Sequence, residues 1–312
     1  MALYAFDGTW NREHSDADAP HPPQASADLA DAHRAKAGLN TNVRRFFDLY
    51  EGTRNVYLAG VGTRLGLLGR IAGGFFGAGG FSRLNAMYRS LCENYAAGHT
   101  RINLVGFSRG AALALDFANL IAKRGIKDAR GRVITTQPVI DFIALFDIVG
   151  SFGVPMSLGP LKFQEWNIGY TLRLPTTISI SNCFHALALD ERRRTFMVTR
   201  VSGASEVWFA GVHSDVGGGN GNLGLNDISL RWMAMKAQGA GLPGFSSERV
   251  LAATRSYNPA APVSHSPGYD VIRNDWRPIR EGDRVHQSVA LPRPGFNDPN
   301  VSVVAEPDVV LL

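Results

Sequence analysis

The residues with the clearest chemical potential lie in the stretch Ile102–Leu115, INLVGFSRGAALAL. It contains Gly106-Phe107-Ser108-Arg109-Gly110, a Gly-x-Ser-x-Gly, between an apolar strand-like run and an apolar helix-like run. A serine hydroxyl is a weak nucleophile unless a base takes its proton and an acid orients that base. A sharp strand-to-helix turn lifts such a serine above a sheet, and the turn closes only if the residues two positions away lack side chains. The turn would also put Ser108 at a helix N-terminus, where the dipole is positive and the Arg109 N–H can face a developing oxyanion. The rival reading is an ordinary glycine-rich turn.

The partners of such a serine belong at the C-terminal ends of later strands. The run VIDFIALF ends in Asp147, and EVWFAG is followed closely by His213-Ser214-Asp215-Val216 and three glycines. The chain order Ser108, Asp147, His213 is the Ser…Asp…His order of α/β-hydrolases. Asp147 reads otherwise as a turn or helix-capping aspartate, and His213 as a loop histidine bonded to backbone. Asp215 is the alternative acid. It lies only two residues from His213, a spacing that usually points a loop side chain elsewhere, and it serves equally to hold the loop together. His185 and His286 are rival bases, ranked lower; His286 lacks a convincing strand before it.

The first segment, YAFDGTWN (Tyr4–Asn11), also bears on the chemistry. An Asp-Gly-Thr after a strand opens the phosphatases of the haloacid-dehalogenase type. That chemistry needs a second aspartate two positions before Asp7, where this chain has Ala5. Asp7 is therefore expected to frame a loop rather than attack. Gly8 lets the chain turn, Thr9 or Trp10 supplies a second oxyanion N–H beside that of Arg109, and Asp7 and Asn11 pin the turn.

These side chains require an α/β scaffold. Leu3–Phe6, Asn55–Val61, Ile102–Phe107, Val139–Phe146 and Glu206–Gly211 are nearly continuous in apolar residues, the pattern of parallel strands buried on both faces. Ser82–Ala97 carries Leu84, Met87, Tyr88, Leu91 and Tyr95 on one stripe, with Ser82 as expected N-cap and Gly98 as stop. Arg109–Lys123 is apolar almost all round and reads as a buried helix. The alternation predicts a mostly parallel central sheet with helices on both faces and loop insertions. One domain over residues 1–312 is expected, with a polar insert at 12–40 and an irregular part over 255–312. The glycine-rich segment 65–80 reads as a lid or acyl-chain contact through Leu67, Leu68, Ile71, Phe75 and Phe76. The alternative, ranked ahead of it, is a loop and helix packed on the core.

Composition removes other classes. The 312 residues are 45% apolar, so a packed core is expected. The net charge of +5 is mild and its arginines are dispersed apart from Glu191-Arg192-Arg193-Arg194, which argues against nucleic-acid binding. Cys92 and Cys183 form neither a disulfide framework nor a metal-ligand spacing. No cofactor and no required metal are expected. No run reaches about 18 apolar residues, and the start lacks a signal-peptide pattern. Cytoplasmic residence is the default expectation, with signal-independent secretion compatible.

FDGTWN at 6–11, TNV at 41–43, AGVGT at 59–63, GFSRGAA at 106–112, LFDIVGS at 145–151, HALALDERRRTF at 185–196 and WFAGVHSDVGGG at 208–219 occur in the order of a known family. Over roughly residues 3–290 the chain resembles the α/β-hydrolase family whose best-known members are type VI secretion phospholipase effectors. The resemblance implies a serine hydrolase acting on carboxylic esters, with Ser108 as nucleophile, His213 as base and Asp147 as preferred acid. It implies a small-molecule or lipid ester substrate and transient contact with a membrane surface. The effectors usually carry a further membrane-associating module, and none is expected within these 312 residues. A non-catalytic binding protein on the same fold is the alternative function.

Overall fold

The computed structural model describes residues 1–8, 38–60, 78–150, 171–193, 196–264, 276–299 and 301–307, with the backbone alone for 78–82. Expectations for the 12–40 insert therefore lie almost wholly outside the described residues, as do those for 65–77 and for Thr9, Trp10 and Asn11.

The frame is an eight-stranded sheet made of β1 (Ala2–Phe6), β2 (Val56–Leu58), β3 (Ile102–Phe107), β6 (Ile140–Phe146), β7 (Cys183–Ala188), β8 (Ser205–Phe209), β9 (Arg284–His286) and β10 (Val304–Glu306). The spatial order is β10-β9-β8-β7-β6-β3-β1-β2, and every neighbouring pair is parallel. A separate antiparallel ribbon joins β4 (Ile126–Lys127) to β5 (Val133–Thr135). From β1 the chain steps one way to β2, then crosses back and builds outward from β3 in the other direction. The reversal falls between β1 and β3, and such a switch point opens a crevice at the C-terminal strand ends.

Burial on both faces follows from β1 itself. Ala2, Tyr4 and Phe6 point to one face and Leu3 and Ala5 to the other, all fully buried. The first face is covered by α2 (Ala78–Ala96) and α3 (Arg109–Arg124). The small residues Ala111, Ala112, Ala114 and Ala118 let α3 lie close, and its Phe117 ring sits 5.3 Å from Phe6 and 5.9 Å from Tyr4. The second face is covered by α1 (Asn42–Leu49), α4 (His213–Gly217), α5 (Leu223–Gly239) and α6 (Ser247–Ala253). Thr41 caps α1 by accepting from the Arg44 N–H at 3.2 Å.

The parallel sheet with helices on both faces is the expected one, and the five expected strands are present. Three differences are informative. Helix α2 starts at Ala78 rather than at Ser82, so Ser82 lies inside the helix and is not its cap. Its glycines at 79 and 80 each cost only about 1 kcal/mol, too little to stop a helix that is packed further along. Gly98 does end the helix, at a φ of +91°. Strand β7 was not expected, because its sequence CFHALA places a histidine inside an apolar run. Nor is the C-terminal part wholly irregular: β9 and β10 extend the sheet, and strands of three residues are too short to leave a periodic trace.

The glycines around Ser108 are required by contact. A Cβ on Gly106 would lie 2.6 Å from the Ala111 Cα, and one on Gly110 would lie 2.2 Å from the Phe6 carbonyl oxygen and 2.5 Å from that of Asp7. Strand β1 and the start of α3 therefore touch backbone to backbone. Gly110→Ala is expected to lower stability by about 1–3 kcal/mol, as overpacking does, measured as a reduced urea midpoint. An unchanged midpoint would show that this contact is loose.

Candidate active site

Ser108, Asp147 and His213 come from three separate strand ends and meet as one chain of hydrogen bonds. Ser108 follows β3, Asp147 follows β6, and His213 opens α4 just after β8. The His213 Nε2 lies 2.8 Å from the Ser108 Oγ, and its Nδ1 lies 2.6 Å from the Asp147 Oδ2. All three are buried, Asp147 completely. The contacts fix the tautomer: Nδ1–H donates to the carboxylate, which leaves Nε2 to accept from the serine hydroxyl.

Local backbone sets each side chain. Among the described residues, Ser108 (φ 58°) and Asp147 (φ 38°) are the only non-glycine residues at positive φ. Each such residue costs on the order of 1–3 kcal/mol and persists only where the surroundings over-determine it. The Ser108 N–H donates to the Phe146 carbonyl at 3.0 Å, and the Ser108 carbonyl accepts from Ala111 at 3.1 Å and Ala112 at 3.3 Å. The Asp147 N–H donates to the Ala186 carbonyl at 2.7 Å. Helix α4 has only five residues and is held by side chains. Asn226 donates to the Ser214 and Asp215 carbonyls, while Asn42 and Ser229 donate to that of Val216. The His213 ring sits between Phe107 at 4.6 Å and Phe196 at 4.7 Å.

The charges form a graded set. Burial alone would raise the Asp147 carboxyl, but the Arg277 guanidinium and the His213 hydrogen bond outweigh it and hold the group well below the usual carboxylate range. Arg277 Nη1 reaches Oδ1 at 2.6 Å and Nη2 reaches Oδ2 at 3.1 Å. The Ala188 N–H adds a bond to Oδ1 at 2.9 Å. Burial pushes His213 below its ordinary value, against the pull of Asp147, so the imidazole is neutral at neutral pH. Burial likewise disfavours the Glu191 carboxylate, yet Arg193 holds it ionised. Its Oε2 accepts the His213 N–H at 3.2 Å.

The rival residues go elsewhere. The Asp215 carboxylate accepts from the Val212 and Ser264 N–H groups, from Asn220 and Asn222, and from the Ser264 hydroxyl. It ties a loop, and His213 is not among its partners within the described residues. His185 lies inside β7, where its Nδ1 meets Glu206 at 3.0 Å and its Nε2 accepts the Ile148 N–H at 3.2 Å. It steadies the backbone beside Asp147 rather than serving as a base for Ser108. His286 bonds Ser288 and stacks on Phe209.

Asp7 directly follows β1, next to this turn. Its carboxylate accepts from the Gly8 N–H at 2.6 Å, from the Thr41 hydroxyl at 2.9 Å and from the Tyr57 hydroxyl. Burial raises its pKa to about 6 in spite of those bonds. Arg109 is the first residue of α3. Sequence reasoning missed Arg277, Glu191 and Phe196. Arg277 stands in a segment without periodicity, and Glu191 was hidden at the head of a basic run. Among the described residues no cluster of three or more His, Cys, Asp or Glu could hold a metal ion.

A parallel sheet reversing beside a strained serine turn defines an α/β-hydrolase-like protein. The model of the T6SS phospholipase effector Tle1-like catalytic domain matches residues 3–136 and 127–236, and the chain belongs to that family. A solved structure of an uncharacterised protein from Pseudomonas aeruginosa aligns with a TM-score of 0.52 at 23% identity, over 84% of this chain and 48% of that one. The Tle1 effector bound to the VgrG spike of the type VI secretion system aligns with a TM-score of 0.46 at 22% identity, over 72% and 51%. The chain thus spans about half the length of the solved structures it matches. No curated protein matches it.

The raised Asp7 gives a testable sign. A carboxyl that binds its proton more tightly when folded contributes stability below about pH 4, and this is lost as pH rises through about 6. Asp7→Asn keeps an acceptor without the charge. The stability of the variant relative to wild type is expected to increase from pH 4 to pH 7 in urea titrations. A difference independent of pH would contradict the assignment.

Proposed function

We propose that the protein is a serine hydrolase of carboxylic esters, most naturally acyl esters of lipids. Membership in a phospholipase effector family supports the lipid side of this reading. The observation that carries the chemistry is the continuous Ser108–His213–Asp147 hydrogen-bonded chain at the C-terminal edge of the sheet.

In the proposed mechanism the Ser108 oxygen bonds to the ester carbonyl carbon while His213 Nε2 takes the hydroxyl proton. The tetrahedral intermediate collapses, the carbon–oxygen bond to the alcohol breaks, and the alcohol leaves with that proton. Water then attacks the acyl-enzyme. Its proton passes to His213 and returns to Ser108 as the acid departs. Asp147 holds the imidazole in the required tautomer and balances the imidazolium. The oxyanion would be met by the Arg109 N–H and by an amide of the Gly8-Thr9-Trp10 turn. Each such donor is worth about 3 kcal/mol in the transition state.

We further propose that residues 1–312 form one hydrolase domain and that Asp7 and Gly8 support the oxyanion turn together with Asn11. Among the described residues no helix is long and apolar enough to cross a membrane. Access to lipid would then come from transient contact with a membrane surface.

Ser108→Ala and His213→Ala are each expected to reduce turnover of an acyl-ester panel by at least about 10³-fold, and only the wild-type serine to react with a fluorophosphonate probe. Asp147→Asn should cost about 10⁴-fold by fixing the wrong tautomer, whereas Asp215→Asn should act mainly on stability. Because base catalysis needs neutral imidazole, kcat/KM should fall on the acid side with a midpoint below about 6.5. A panel run with and without lipid micelles separates lipase from short-chain esterase activity. Normal turnover by both alanine variants would end this proposal, and an unreactive wild-type serine would favour the binding-protein alternative.

A further inference from the structure

We propose that Arg277 is the positioning residue of this centre: it clamps Asp147 as an ionised, oriented carboxylate and thereby sets the pH at which His213 acts as a base. The inference rests on the serine-hydrolase reading and adds a residue beyond position 236, where the family match ends.

The geometry is that of a built clamp. The Arg277 side chain is buried. Its Nη1 donates to the Asp147 Oδ1 at 2.6 Å and to the Ala188 carbonyl at 2.8 Å. Its Nη2 donates to the Asp147 Oδ2 at 3.1 Å and to the Phe196 carbonyl at 2.6 Å. One planar fork thus fixes both carboxylate oxygens, the end of β7 and the residue whose ring borders His213. Lysine cannot reproduce that fork. The Arg277 backbone is itself held, since Asn297 donates from its amide to both the Arg277 and Leu189 carbonyls. Next to it Arg293 pairs with the buried Asp190 through two bonds of 2.7 and 2.8 Å.

The electrostatic consequence has a definite sign. Among the described residues, the charged groups acting on the His213–Asp147 pair are Arg277 and Glu191, the latter neutralised by Arg193. The Asp190–Arg293 pair lies at the end of β7, and His185 with Glu206 lies behind Ile148. Without Arg277 the pair would be a buried anion and would take up a proton more readily. With Arg277 it is close to neutral, and the imidazole stays unprotonated to lower pH. The fork keeps Asp147 charged and aligned, and it lets the base work in mildly acidic surroundings.

The test compares Arg277→Met and Arg277→Lys with wild type. The readouts are fluorophosphonate labelling of Ser108 against pH, kcat on an acyl ester, and NMR titration of His213, which needs no turnover. In Arg277→Met the acid-side midpoint should rise by about 1–3 units and kcat should fall about 10²-fold through misplacement. Arg277→Lys should return the midpoint close to wild type while kcat stays low. A folded Met variant with the wild-type midpoint overturns the proposal, as does a Lys variant with a midpoint as high as that of the Met variant. If the Met variant does not fold, a Lys variant with wild-type kcat overturns it. A wild-type protein whose Ser108 never labels refutes the hydrolase reading instead, and the His213 titration then still decides the role of Arg277.

Discussion

Asp147 is a carboxylate with no exposed surface, and most of the site is arranged around that fact. Removing such a charge from water costs several kcal/mol unless it is paired and hydrogen-bonded. Here one guanidinium, one imidazole and one backbone N–H share its two oxygens. Each of those partners is in turn tied to a different part of the chain. Arg277 comes from the C-terminal segment, His213 from the short helix after β8, and Ala188 from the end of β7. The carboxylate therefore acts as a junction. Its burial gives each element a reason to be where it is.

The sheet makes the junction reachable. Because all its neighbouring strands run parallel, their C-terminal ends share one edge, and strand ends are where the chain can turn side chains upward. Backbone strain is concentrated there as well. Ser108 and Asp147 adopt left-handed conformations immediately after β3 and β6, two strands that lie side by side with six paired positions. Strain at both positions is held by the same surroundings. The Phe146 carbonyl receives the Ser108 N–H, and Asp147 follows Phe146 directly.

How far the sequence was legible depended on the range of the physics. Strand β3, its glycines and the helix after it are local features, and Ile102–Phe107 was readable to the residue. The buried strands stood out because both faces are covered, which leaves an unbroken apolar run. Strand β7 escaped because a histidine interrupts its apolar run. In fact that histidine is satisfied by Glu206 on the neighbouring strand and by a backbone N–H. Arg277 escaped for a deeper reason. The partners of its guanidinium are 81 to 130 residues away, and nothing in its own neighbourhood signals them. Ala5 made a framing role the expectation for Asp7, whose bonds to Thr41 and Tyr57 leave no trace in the sequence.

The long reach of these bonds has a consequence for synthesis. Ser108 and His213 are separated by 105 residues, and Asp147 and Arg277 by 130. Contacts of such range form late, after the entropy of closing large loops has been met. A chain emerging from the ribosome carries its serine turn early. It cannot complete the carboxylate clamp until Arg277 has been added and the segment around Asn297 has folded back over β7. The order of the residues thus acts as a timer. The serine turn is made well before the partners of its site, and the hydrogen-bonded set closes only once Arg277 and Asn297 have docked.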